Sequence, residues 1–149
     1  MLAMVGWMLL AAGLVAPAHA QEPVAATGAT LVIHIQDVSP RGGMLRLGLY
    51  DEARYPDDDA VPVASADVRA ETGETIITLN NVPPGIYAIE TFQDINSNNK
   101  MDTAIFLPKE GFGFSQNPVI RFGPPRFDKV SIEFPPGFTR TSVRMQYLL

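Results

Sequence analysis

The chain contains no cysteine. No disulfide can hold it, and no thiolate is available as a zinc ligand or nucleophile. Histidine is almost as scarce, with two residues in 149, and His19 falls in a stretch expected to be removed. His34 alone cannot build a zinc site. A Ser-His-Asp arrangement through it would lack the G-x-S-x-G elbow that usually presents the nucleophile. Basic residues are also few, 11 Lys and Arg against 16 Asp and Glu, for a net charge of −5 with no basic cluster. That balance argues against nucleic acid and anionic membranes as partners. Phosphate-binding glycine loops and dinucleotide fingerprints are absent as well.

The most local absence is at the start, since Met1 to Ala20 has no Lys, Arg, Asp or Glu. Trp7 to Val15 is an apolar run of signal-peptide length, too short to span a bilayer as a helix. Ala18-His19-Ala20 has the small-x-small pattern of a cleavage site. Residues 1–20 are therefore expected to be a signal peptide and 21–29 a tether, with 30–149 as a single domain in the periplasm or outside the cell. No transmembrane span is expected after processing.

What remains is rich in two-residue alternation, punctuated by 12 Gly and 13 Pro. Leu31, Ile33 and Ile35 alternate with Val32 and His34, and Leu45, Leu47 and Leu49 with Arg46 and Gly48. The turn cluster Ser39-Pro40-Arg41-Gly42-Gly43 between them predicts an antiparallel hairpin with both apolar sets on one face. Asp51 to Asp59 reads as a surface excursion. Further strands are expected near Val61–Val68, Thr75–Leu79, Ile86–Gln93, Lys129–Phe134 and Thr139–Leu148. The sum is an all-β chain of about seven strands, an antiparallel β-sandwich with immunoglobulin-like or transthyretin-like topology.

A long insertion, Asp94 to Asp128, separates the fifth and sixth strands. It has no clear periodicity, yet Ile105, Phe106, Phe112, Phe114 and Phe122 make it too apolar to stay solvated. It is expected to fold and pack, with the phenylalanines sealing one end of the domain. Exposed, they would instead make a recognition patch.

The insertion begins with Asp94-Ile95-Asn96-Ser97-Asn98-Asn99-Lys100-Met101-Asp102, which places side-chain oxygens at relative positions 1, 3, 5 and 9. Calcium takes six to eight oxygens, and this spacing suits it, with Lys100 supplying a backbone carbonyl. The expected ligands are Asp94, Asn96, Asn98, Lys100 and Asp102. The bidentate Glu of an EF-hand is missing, because Ile105 holds the twelfth position; Glu110 is the residue expected to fold back in compensation. The same residues could instead form a row of Asx turns without metal.

The order Asp-x-Asn-x-Asn-x-x-x-Asp from Asp94, then Pro108-Lys109-Glu110-Gly111-Phe112-Gly113-Phe114-Ser115, then Phe122-Gly123-Pro124-Pro125-x-Phe127, resembles a bacterial family of exported proteins, DUF2141. Leu49-Tyr50-Asp51, Tyr55-Pro56 and Val82-Pro83-Pro84-Gly85-x-Tyr87 extend the likeness over roughly residues 30 to 148. The resemblance implies a secreted β-sandwich with a conspicuous Asp/Asn loop, and brings no activity with it. The family pattern has Gly at loop positions 4 and 6, where this chain has Ser97 and Asn99. Asn tolerates the left-handed backbone such a turn needs.

The expected function is a non-enzymatic exported module, stabilised by a structural Ca2+ and binding or adhering at the cell envelope, with a partner there or outside the cell. The alternatives are a hydrolase using carboxylates near the insertion, which would show one acid in an apolar pocket with a raised pKa, or a structural accessory subunit.

Overall fold

The computed structural model describes residues 28–149. The expected leader, and the tether as far as residue 27, lie outside the described residues. The described chain is nearly all β. In order it contains β1 (Ala29–Val38), β2 (Met44–Tyr50), β3 (Ala64–Arg69), β4 (Gly73–Val82), β5 (Gly85–Asp94), β6 (Thr103–Ala104), β7 (Leu107–Pro108), β8 (Phe112–Phe114), α1 (Phe127–Val130), β9 (Ser131–Phe134) and β10 (Gly137–Arg144). Each expected strand has a counterpart, but Lys129 and Val130 belong to α1, the last strand stops at Arg144 rather than Leu148, and the insertion adds β6, β7 and β8, for ten strands rather than about seven. None of the described helix is long and apolar enough to cross a membrane.

One sheet has the order β10-β1-β4 and a second the order β3-β2-β5-β8, with β9 also on β5. The strand β5 is long enough to carry two partners on one edge, β9 along Gly85–Ala88 and β8 along Glu90–Phe92. Most pairs are antiparallel, but β1 and β10 run parallel from Ala29↔Gly137 to Gln36↔Arg144. Apolar residues of both sheets meet in one buried cluster: Leu31, Ile33 and Ile35 of β1, Leu45, Leu47 and Leu49 of β2, and Tyr87 and Ile89 of β5, with Phe134 and Val143. Each such aliphatic side chain contributes roughly 1.5–3 kcal/mol by leaving water.

The expected β1–β2 hairpin does not form. The two strands lie in different sheets, and their apolar sets face each other across the core instead of sharing a face. Gly42 and Gly43 both adopt positive φ, 74° and 81°, which lets the chain cross between sheets. The buried Gln93 then ties the crossing down, its Nε2 donating to the carbonyls of Ser39 and Gly42 at 3.1 and 2.8 Å. Its Oε1 accepts from the hydroxyls of Ser39 and Tyr147.

The insertion is folded, but only in part packed. Phe112 and Phe114 are buried with Tyr55, Ala88 and Val130 in a second cluster on the far side of β5 from the core. By contrast Ile105, Phe106 and Phe122 are 90, 97 and 96 % exposed, so these side chains do not seal the domain. Ile105 and Phe106 form the two-residue turn between β6 and β7, both with positive φ, 49° and 66°. Such turns favour Asn-Gly, and a β-branched residue there is strained.

Candidate functional site

The outer face of the second sheet carries two acids of β5, Asp94 at its end and Glu90 four residues inward. At Asp94 both carboxylate oxygens have donors, three in all. Oδ1 accepts the N–H of Asn98 at 3.0 Å. Oδ2 accepts the N–H of Asn99 at 2.8 Å and Nε–H of Arg46 at 2.6 Å. Burial alone would raise its pKa, but the hydrogen bonds from Arg46 and from the Asn99 and Asn98 amides win, and the carboxyl stays below its ordinary value. Arg46 is raised in turn, chiefly by its hydrogen bond to Asp94, and it also pairs with Asp67 at 3.0 Å.

The rest of the Asp/Asn loop closes on itself. Asn96 and Asn98 donate from Nδ2 to the two oxygens of Asp102 at 2.7 and 2.9 Å. Their own Oδ1 atoms accept the N–H groups of Asn98 and Lys100. Ser97 and Asn99 have φ of 58° and 62°, the left-handed backbone expected where the family pattern has Gly. Glu110 does fold back. Buried, it accepts the N–H of Ile95 at 2.9 Å and of Asp102 at 3.0 Å, spanning both ends of the loop. Asp94, Asn96, Asn98, Lys100, Asp102 and Glu110 are thus brought together as a hydrogen-bonded clasp. Among the described residues no group of three or more His, Cys, Asp or Glu side chains is placed to hold a metal ion.

The run around Glu110 serves the same junction. A Cβ at Gly111 would lie 2.2 Å from the Tyr147 ring, and one at Gly113 would lie 2.7 Å from Val143. These two glycines let β8 press against the end of β10, where Phe112 and Gln146 exchange backbone hydrogen bonds. Ser115 is buried beyond β8, accepting the N–H of Ile89 at 2.9 Å and donating to the carbonyl of Val130.

Between the clasp and the 51–63 loop lies a cavity of about 1110 Å³. Its floor is the outer face of β2, β5 and β8, with Tyr50, Glu90, Phe92 and Phe114, and Phe106 and Phe122 of the insertion reach its walls. Gly48 sits opposite Glu90 across the β2–β5 ladder. The Tyr50 ring folds back over it so closely that a Cβ there would be 2.5 Å from the ring. Burial, then the neighbouring Asp58 charge, pushes the Glu90 carboxyl up to about 7. The same burial raises the Tyr50 phenol, with Glu90 and Asp58 adding to the effect.

Sequence reasoning missed Glu90, Gln93 and Arg46. A signal for Glu90 is present in Tyr87-Ala88-Ile89-Glu90-Thr91-Phe92. Apolar residues point to both faces of this strand, so both faces must be covered, and the acid on one of them must lie under something.

A β domain with a clasped loop and a partly roofed aromatic cavity is the class of protein that these features define. A family model described as an uncharacterised protein conserved in bacteria, DUF2141, matches residues 33–142, and the chain belongs to this family. No curated protein and no solved structure matches it.

Proposed function

We propose that the chain is an exported, non-enzymatic binding module of β-sandwich architecture, immunoglobulin-like or transthyretin-like, working at the cell envelope and taking its ligand in the cavity over β5. The carrying observation is the cavity itself: about 1110 Å³ with an aromatic floor and charged groups at its margins, a concave surface of the size that takes a small molecule. Export rests on the leader pattern of Met1 to Ala20. The test is titration of the folded protein with a neutral, environment-sensitive apolar dye. Saturable binding weakened several-fold by Phe106→Ala and Phe122→Ala is expected, and no saturable binding sinks the reading.

On this reading the Asp94 loop is a staple for the root of the insertion, with a structural calcium ion as an addition to it. The spacing of Asp94, Asn96, Asn98 and Asp102 supports the addition, because it brings oxygen-bearing side chains to alternate positions of one loop. Arg46 weighs against it, since a cation already neutralises Asp94.

A second reading is favoured by Glu90, which has the environment of a general acid, with Asp58 on the same cavity. A hydrolase built on this pair would cleave chromogenic glycosides and lose that activity in Glu90→Gln. A Glu90→Gln protein that cleaves as fast as its parent excludes it.

A further inference from the structure

We infer that the ligand of this cavity is an organic cation, an amine joined to an aromatic or alkyl body, whose charge pairs with Glu90. The inference rests on the cavity being a binding site, and it adds the class of ligand. Glu90 is a carboxyl on an aromatic floor, and the one charge that acts on it appreciably is another acid, Asp58. Among the described residues nothing supplies its carboxylate with a cation or a hydrogen-bond donor. A half-buried carboxylate without a partner holds its proton to higher pH, whereas one that meets a desolvated cation ionises and holds it.

The surrounding charges agree. From β2 the cavity receives Tyr50, a neutral phenol, and Arg46, which is already committed to Asp94 and Asp67. From the 51–63 loop it receives Asp58 and Asp59, and from the insertion the exposed Lys100 and Arg121. The strands β3 and β8 bring no titratable side chain to it. Asp58 acts directly on Glu90, while Lys100 and Arg121 of the insertion do not act on it appreciably. An anionic ligand would meet Glu90, Asp58 and Asp59 together. The rings of Tyr50, Phe92 and Phe114 add favourable π faces for a cation, and the cavity volume leaves room for an apolar body beyond it.

The measurement is displacement of a neutral apolar dye from the full mature chain by three matched probes: 4-phenylbutylamine, 4-phenylbutanol and 4-phenylbutyrate. At pH 8.5 the amine should bind at least about tenfold more tightly than the alcohol, and the acid more weakly than either. With the Glu90 carboxyl pushed up to about 7, amine affinity should fall by about tenfold, and by at most roughly thirtyfold, between pH 8.5 and 5.5 while that of the alcohol holds steady. Glu90→Gln should erase both the preference and the pH dependence while keeping alcohol binding. Asp58→Asn should move the pH midpoint down, a shift that a merely structural role would not produce. If the alcohol and amine bind equally at pH 8.5, the inference is overturned and the cavity reading survives. If no probe displaces the dye, both fail.

Discussion

Asp94 and Glu90 stand on the same face of the same strand, four residues apart, and have opposite fates. Asp94 is buried among donors. A guanidinium and two backbone amides point at it, and it is held ionised below the usual carboxylate range. Glu90 is half-buried among rings, faces another acid, and has its carboxyl pushed up to about 7. Depth alone does not decide the charge of a buried carboxyl; the partners supplied by neighbouring elements do. The clasp around Asp94 is finished chemistry, with three donors on its two oxygens. Glu90 is left open, and a strand that provides so fully for one acid leaves the other to be completed from outside.

The most severe way to break this comparison is at the satisfied end. Asp94→Ala would leave the Asn99 amide without its acceptor, the Asn98 amide with Asn96 alone and Arg46 with Asp67 alone, and should cost about 3 kcal/mol in urea unfolding at pH 7. Because the folded-state pKa is depressed, this stabilisation is present above the ordinary Asp value and is lost as pH falls through the folded value. Asp94→Asn should therefore match its parent only in strong acid. A loss below 1 kcal/mol in Asp94→Ala would mean that the clasp holds nothing.

At the open end the sign reverses. The raised pKa of Glu90 means that the folded state binds more protons than the unfolded state between the ordinary Glu value and about 7, so stability falls as pH rises through that window. Glu90→Gln should equal its parent at pH 4 and exceed it at pH 8 by up to roughly 2–3 kcal/mol. A variant less stable than its parent at both pH values would show that the carboxylate already has a partner.

The smallest effect sharpens the comparison rather than breaking it. If the Asp94 loop also takes calcium with the millimolar affinity of extracellular modules, a tenfold excess over Kd adds only about 1.4 kcal/mol. Thermal melting in calcium against EDTA should show a correspondingly small rise. An unchanged midpoint removes the ion and leaves Arg46 as the only cation of the clasp.

Alternation revealed the strands, and the Asp/Asn spacing together with Glu110 revealed the clasp, because both are written in local periods along the chain. Sheet membership was not legible. Leu31-x-Ile33-x-Ile35 and Leu45-x-Leu47-x-Leu49 look alike whether the strands pair side by side or face each other across a core. The crossing is fastened at Ser39 and Gly42 by Gln93, which lies far along the sequence. Glu90 was hidden for a related reason. Its strand announces cover on both faces, but what covers the outer one comes from a segment without periodicity, so the setting of the acid exists only once Phe114 and the insertion are in place.

The backbone at Gly43 lies directly on the root of the insertion: a Cβ there would stand 2.2 Å from the carbonyl oxygen of Asp94 and 2.6 Å from Cα of Ile95. The link that carries the chain from one sheet to the other is thereby seated on the joint where the clasp begins. The insertion cannot be lifted out and grafted onto another β scaffold as a cassette, because the host would need its own side-chain-free crossing at that point. Framework and insertion are parts of one unit of inheritance, and a change to either must be matched at Gly43.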